Sequence, residues 1–398
     1  MKITAIETLT APEHPFSLWV RIHTNEGLVG LGESVASPRA IARVVHDRLA
    51  EILLGQDATR IEQLWHRMYR AIHYHGAGGA EMRALSAVDT ALWDLLGKVT
   101  NQPVYVLLGG ASRDRIPIYN TCGDYGNIRD HQMFLTNPVR LARDLLNEDI
   151  HMMKIWPFDR YATATDGQYI APRELEAGVD VVRQIRDAVG DEMEIAIEGH
   201  SLWNLPSAIR IARALEPYRP LWLEDMMWPD NIESIRQLRQ ATTIPITTSE
   251  RLFGRFAFRQ VMERDAGDVV MLDLAWTGGF SEARKIAAMA SVYQLPIAPH
   301  NCGGPVSHLV TAHFCAHVYN LFVMETVRAF YHGFFDELLT VNLVPSDGAL
   351  PLPPGPGLGT DLRPDVLSRQ DLLREVSDQV PEQVPTHATG DPWTTQKF

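Results

Sequence analysis

The chain has 398 residues, 45% apolar and 21% charged, with a formal charge of −13. That length supports a large buried core, and the acidic excess argues against nucleic acid as a partner, because phosphate neutralisation needs a basic stripe that is not visible. Three cysteines (Cys122, Cys302, Cys315) without CxxC spacing argue against a disulfide framework or a zinc cage and read as buried small hydrophobes. No apolar run approaches the roughly 20 residues of a membrane span, and the N-terminus reads as a strand rather than a signal peptide, so a cytoplasmic protein without a membrane partner is expected.

The first 35 residues read as antiparallel strands, with alternation over residues 18–23, a turn at residues 25–27 and a returning strand over residues 28–33. Three helical stretches follow: residues 38–54 behind Ser37-Pro38, residues 58–72 with Asp57 as candidate cap, and residues 80–100 with Leu85, Val88, Leu92, Leu95 and Leu96 on one face. His73, Tyr74 and His75, followed by Gly76-Ala-Gly-Gly79, match no zinc spacing and read as a mobile loop. Residues 1–115 thus form an α+β domain.

From Ile116 apolar runs alternate with amphipathic helices, the pattern of βαβ units. Strands are expected to start near residues 116, 151, 192, 221, 244, 268, 295 and 321, which makes a (β/α)₈, TIM-like barrel over residues 116–340. The alternative, an open doubly wound sheet, lacks a Gly-rich phosphate turn after any strand. A polar insertion over residues 157–172 falls where a barrel keeps its active-site loops. The segment 341–398, rich in Pro and Gly over residues 351–359, is expected to return to the N-terminal domain and to fray beyond residue 384.

Glu198, Glu224 and Glu250 stand 26 residues apart, each closing an apolar run. That step is about one strand plus one helix, so three parallel strands would bring three carboxylates to one end of the barrel and make an all-oxygen site for a hard divalent cation, Mg²⁺. A cation there would also offset the repulsion between an acidic protein and an anionic substrate. Asp273, His300 and Glu325 close later runs, and Lys154 holds a comparable place upstream. Singly, such residues are most often surface carboxylates or satisfied histidines; together at one end of successive units they point to an enzyme. Residues two apart on a strand face the same way, which puts His200 beside Glu198, while His300 lies four strands further round. Asp273, one strand from His300, can bond one ring nitrogen and raise the basicity of the other, giving a general base for proton abstraction next to a carboxylate through an enediolate. Trp222 and Trp228 read as packing, and His308, His313 and His317 as solvent or core residues of one amphipathic helix.

With Thr24-Asn-Glu-Gly-Leu-Val-Gly-Leu-Gly-Glu33, Ala84-Leu-Ser-Ala-Val-Asp-Thr-Ala-Leu-Trp-Asp94, Leu107-Leu-Gly-Gly110 and Pro354-Gly-Pro-Gly-Leu-Gly359, the chain resembles the enolase superfamily, mandelate racemase/muconate lactonizing branch, over nearly its whole length. The resemblance implies that the first domain caps the barrel, that Glu198, Glu224 and Glu250 hold one Mg²⁺ per subunit, that Asp273 and His300 form a dyad, and that Glu325 contacts substrate. Glu198-Gly-His200 is most similar to galactonate-type acid-sugar dehydratases. That implies a hydro-lyase in which His300 removes the proton α to the carboxylate and His200 protonates the departing 3-hydroxyl, giving a 2-keto-3-deoxy acid. The Lys-x-Lys of racemases is replaced by Lys154-Ile-Trp156. Glu198 stands where relatives usually have Asp, one methylene shorter, and Met226 follows Glu224-Asp225 where they usually have Pro. The other readings are a racemase or epimerase using the same two histidines, and a non-catalytic metal-binding barrel. The capping loops at residues 13–16 and 74–79 would select the substrate, with His14, His75, Trp156, Arg251 and Trp276 as pocket candidates and Lys154 as a substrate contact. A symmetric homo-oligomer is the expected assembly.

Overall fold

The computed structural model describes residues 1–380; the expectation of fraying beyond residue 384 falls outside them. Ile3–Thr10, Ser17–Thr24 and Val29–Val35 form an antiparallel meander. Its outer edge is covered by Leu373–Ser377, which pairs antiparallel with Ile3–Thr10. The last described strand therefore pairs the free backbone of Ile3–Thr10 and becomes the edge of the first sheet in its place.

Gly30 and Gly32 set how closely this sheet meets the helix Gly79–Thr100. A Cβ on Gly32 would lie 1.9 Å from the carbonyl oxygen of Ala87, and one on Gly30 would lie 2.1 Å from that of Ala91. Sequence periodicity gives this helix one apolar face, yet it is buried on nearly every side, because the barrel packs where the sheet does not. Its buried carboxylates serve as docking points. Asp89 accepts from the Ser281 backbone N–H and hydroxyl at 3.0 and 2.6 Å, and Asp94 accepts from the backbone N–H groups of Leu31 and Leu358, both at 2.8 Å. Glu33 works in the reverse direction, accepting from the Ser307 N–H at 2.8 Å in the first turn of the barrel helix Pro305–His317.

Two helix boundaries differ from expectation. Asp57 accepts from the backbone and hydroxyl of Thr59, a local turn that delays the helix to Ile61–His73. Residues 38–54 are helical but are interrupted by a wider turn at Val45–Leu49.

Parallel strands Arg115–Thr121, Met152–Ile155, Glu194–Glu198, Trp222–Glu224, Ile246–Thr248 and Val269–Val270 pair in chain order, and Met324–Thr326 pairs back onto the first. Between them the seventh position is reduced to bridges, Val270 to Ile297 and Ile297 to Leu321. The ring is closed: a (β/α)₈ barrel, not an open sheet. Several outer helices begin at an asparagine, as Asn137, Asn204 and Asn231 each accept from a backbone N–H three residues on. Inside the ring, Tyr119, Ala196, Trp222, Val269, Met271, Ala298 and Val323 form a separate apolar layer. It plugs the barrel beneath the strands' carboxyl ends, so polar side chains there rest on a dry floor. No helix among the described residues is long and apolar enough to cross a membrane.

Candidate active site

Glu198 and Glu224 end their strands, and Glu250 follows its strand by two residues. One oxygen from each lies within 4.8 Å of the others. Glu198 Oε1 accepts from the His200 N–H at 2.5 Å while the carboxylate belongs to the cluster. Glu224 is held from below, where the floor residue Trp222 donates its indole N–H to Oε2 at 2.9 Å. Trp222 therefore does more than pack.

Lys154 reaches into this group from the second barrel strand. Its ammonium bonds Glu224 and lies 2.8 Å from Glu325 and 3.6 Å from Glu198. Burial works against its charge, but Glu224 and Glu325 outweigh that and lift its pKa well above the ordinary value. Burial pushes Glu198 up to about 7, although Lys154 partly offsets it. Glu325 shows the opposite balance: burial opposes ionisation, yet Lys154 and His300 hold it down at about 2. Thr121 donates to one of its oxygens and the Asn301 N–H to the other at 2.5 Å.

His300 stands between two carboxylates. Its Nδ1 bonds Asp273 at 2.7 Å, and its Nε2 lies 2.9 Å from Glu250. Burial disfavours the imidazolium, but Glu250 and Glu325 overcome it and raise the His300 pKa. Drawing Glu250 aside would leave Nε2 open as a proton acceptor, with Asp273 still fixing the ring.

The donor set suits a hard cation. Three carboxylates converge with no sulfur or nitrogen among them, and the ammonium of Lys154 shows that the cluster binds positive charge. Glu198, Glu224 and Glu250 are the residues that would hold Mg²⁺.

His200 is not on the strand that carries Glu198. The strand stops at Glu198 and His200 has φ 45°, so strand alternation does not set its direction. Instead its Nδ1 bonds Asp159 at 2.5 Å, and its ring stands edge-on to Trp156, centroids 5.5 Å apart. Arg251 donates to the His200 carbonyl at 3.2 Å. Trp276 lies 4.9 Å from the His300 ring. His14 stacks on Phe334 with ring centroids 4.8 Å apart, His75 is exposed beside Tyr74, and neither makes a hydrogen bond to the cluster.

Four members of this neighbourhood were not singled out from the sequence. Asp159 lies in the polar insertion. Asp225 is buried next to Glu224, accepts from Ser249 at 2.8 Å and is pushed up to about 7 by burial and by Glu250; the acidic doublet was its only signal. Arg83, from the first domain, sits 3.9 Å over the Trp276 ring, and no local pattern marks it. Cys302, read as a buried small hydrophobe, is only partly buried and lies 3.3 Å from Glu325 at the cluster's edge. His308 and His313 are fully buried in their helix, which is covered on nearly every side, while His317 is half-buried.

Two family models match the chain: the mandelate racemase/muconate lactonizing enzyme N-terminal domain over residues 4–109, and the enolase C-terminal domain-like family over residues 138–366. A crystal structure of an enolase of the mandelate racemase subgroup from Agrobacterium tumefaciens is 42% identical with TM-score 0.88, over 95% of this chain and 99% of that chain. An enolase protein from Sargasso Sea environmental sequencing is 39% identical with TM-score 0.88, over 95% and 99%. A Salmonella typhimurium protein described only provisionally as a dehydratase is 29% identical with TM-score 0.86, over 94% and 99%.

Proposed function

Because this chain belongs to the enolase superfamily, in its mandelate racemase/muconate lactonizing branch, we propose that it is a Mg²⁺-dependent dehydratase of an aldonic or aldaric acid. The observation that carries this reading is the pair of histidine–carboxylate couples, His300 with Asp273 and His200 with Asp159, rooted four strands apart on an eight-stranded ring. Groups so placed approach a small substrate from opposite walls.

Glu198, Glu224 and Glu250 would hold Mg²⁺, which would supply positive charge against the negative charge that develops on the substrate carboxylate. Lys154 anchors that carboxylate, and Glu325 lies within reach of both Lys154 and His300. Nε2 of His300 takes the proton from Cα, and the C–H electron pair becomes a Cα–Cβ double bond. The Cβ–O bond breaks as Nε2 of His200 donates a proton, so the 3-hydroxyl leaves as water. The resulting enol tautomerises to the 2-keto-3-deoxy acid.

A library of aldonic and aldaric acids incubated with the protein and Mg²⁺ tests this, with keto product read as the semicarbazone. At least one member should give product at minus one water. A second reading, inversion at Cα, draws on the same feature, since each imidazole has a carboxylate on Nδ1 and either could serve as base. Deuterium at Cα of an epimer with no mass loss would select that reading, and a library without product or exchange would overturn both.

A further inference from the structure

We propose that Asp159 is the positioning residue of a second dyad, fixing the His200 ring so that Nε2 is the proton-donating nitrogen. This deepens the dehydratase reading and rests on it. Asp159 opens the short helix Asp159–Ala162 just beyond the second barrel strand, in the polar insertion, and meets a histidine 41 residues away. The two are thus brought together by the barrel and not by local sequence.

Three observations converge on a positioning role. Asp159 Oδ2 and His200 Nδ1 face each other within hydrogen-bonding distance, at 2.5 Å. Such a bond requires a proton on Nδ1, so the neutral ring keeps Nδ1–H, and any further proton it takes up and delivers resides on Nε2. His200 lies beyond the strand in a left-handed conformation, so neither strand pairing nor alternation holds its side chain. The edge of Trp156 and the Asp159 carboxylate are what orient it. Finally, Asp159 Oδ1 is buried with no hydrogen-bond partner. A buried carboxylate oxygen left without a partner is costly for structure alone, and its cost is understandable where the other oxygen sets a reacting group. Atoms balance as before: His200 gives its Nε2 proton to the hydroxyl and is left neutral with Nδ1–H on Asp159.

The two proton transfers can be read separately, because His300 acts on Cα without His200. With the library acid that turns over, Asp159→Ala, Asp159→Asn and His200→Asn are compared in D₂O for keto product and for deuterium entering recovered substrate. Asp159→Ala should lower dehydration roughly 10–100-fold, the usual effect of losing a partner that orients a functional histidine. Cα exchange should stay within a few fold of wild type. Asp159→Asn should recover part of the loss, since its amide oxygen still accepts from Nδ1–H. Equal loss of both reactions in Asp159→Ala, or of neither, overturns the proposal. If His200→Asn dehydrates normally, the dehydratase assignment of His200 itself fails; if His200→Asn is impaired and Asp159→Ala is not, only the role of Asp159 fails. Histidine ¹⁵N spectra at alkaline pH give a readout without substrate: wild type should show His200 as the Nδ1–H tautomer, lost in Asp159→Ala, and an Nε2–H tautomer in wild type overturns the proposal.

Discussion

Replacing Lys154 by Met removes the ammonium shared by buried carboxylates. In the wild type it bonds Glu224 and lies 2.8 Å from Glu325 and 3.6 Å from Glu198, with no more than 3% of any of these side chains exposed. Deleting one partner of a buried ionic network leaves the others uncompensated, at about 3–5 kcal/mol. At roughly 2–4 °C per kcal/mol for a domain of this size, the variant in EDTA should melt roughly 6–20 °C below wild type. The loss should depend on pH. Lys154 opposes the rise of the Glu224 pKa and helps hold Glu325 at about 2, so without it both carboxylates titrate higher in the folded state. Groups whose folded pKa exceeds the unfolded value bind more protons when folded, so the penalty grows as pH rises above the ordinary carboxylate range and shrinks as pH falls towards it. Calorimetry at pH 6 and pH 8, with EDTA or Mg²⁺, checks this, and Mg²⁺ should recover more stability in the variant than in wild type. A variant that melts with wild type in EDTA at both pH values would refute the view that Lys154 neutralises the carboxylate cluster.

His300→Asn should reduce both Cα exchange and turnover by about 10²–10⁴-fold with an unchanged circular dichroism spectrum; retained exchange would remove His300 as the base. Gly32→Ala should cost about 1–3 kcal/mol or more, because its Cβ would meet backbone of Ala87 at 1.9 Å and force sheet and helix apart; a wild-type urea midpoint would contradict this. His308 and His313 are each pushed down to about 4 by burial, so they stay neutral when folded while the unfolded chain protonates near 6.5. Their stabilising effect is full above pH 6.5 and is lost as pH falls towards 4, about 2 kcal/mol for each at pH 5. His308→Gln, which can still donate to the Leu343 carbonyl, should therefore lose less stability than wild type between pH 7 and pH 5 by urea denaturation.

The barrel was legible because a parallel strand buried on both faces writes itself as a short apolar run, and a charge closing that run can lie only at its rim. Residues such as Glu198 and Glu224 are therefore placed by their own strands. The seventh strand was read from its apolar run as well, although in space it is only two bridges around Ile297. The helix Gly79–Thr100 was found by periodicity, but its complete burial was not, since the second surface covering it comes from a remote part of the chain.

By itself, then, the order of residues determined roughly where the barrel strands lie and which acidic and imidazole groups close or follow them, because an apolar run is a local property; the exact strand ends were not determined. Tertiary structure alone decided the partners: Asp159 for His200, Lys154 for Glu224, Arg83 over Trp276. The physical reason is that a hydrogen bond or an ion pair acts over a few ångströms, and only closure of the ring and docking of the first domain bring such distant side chains within that range.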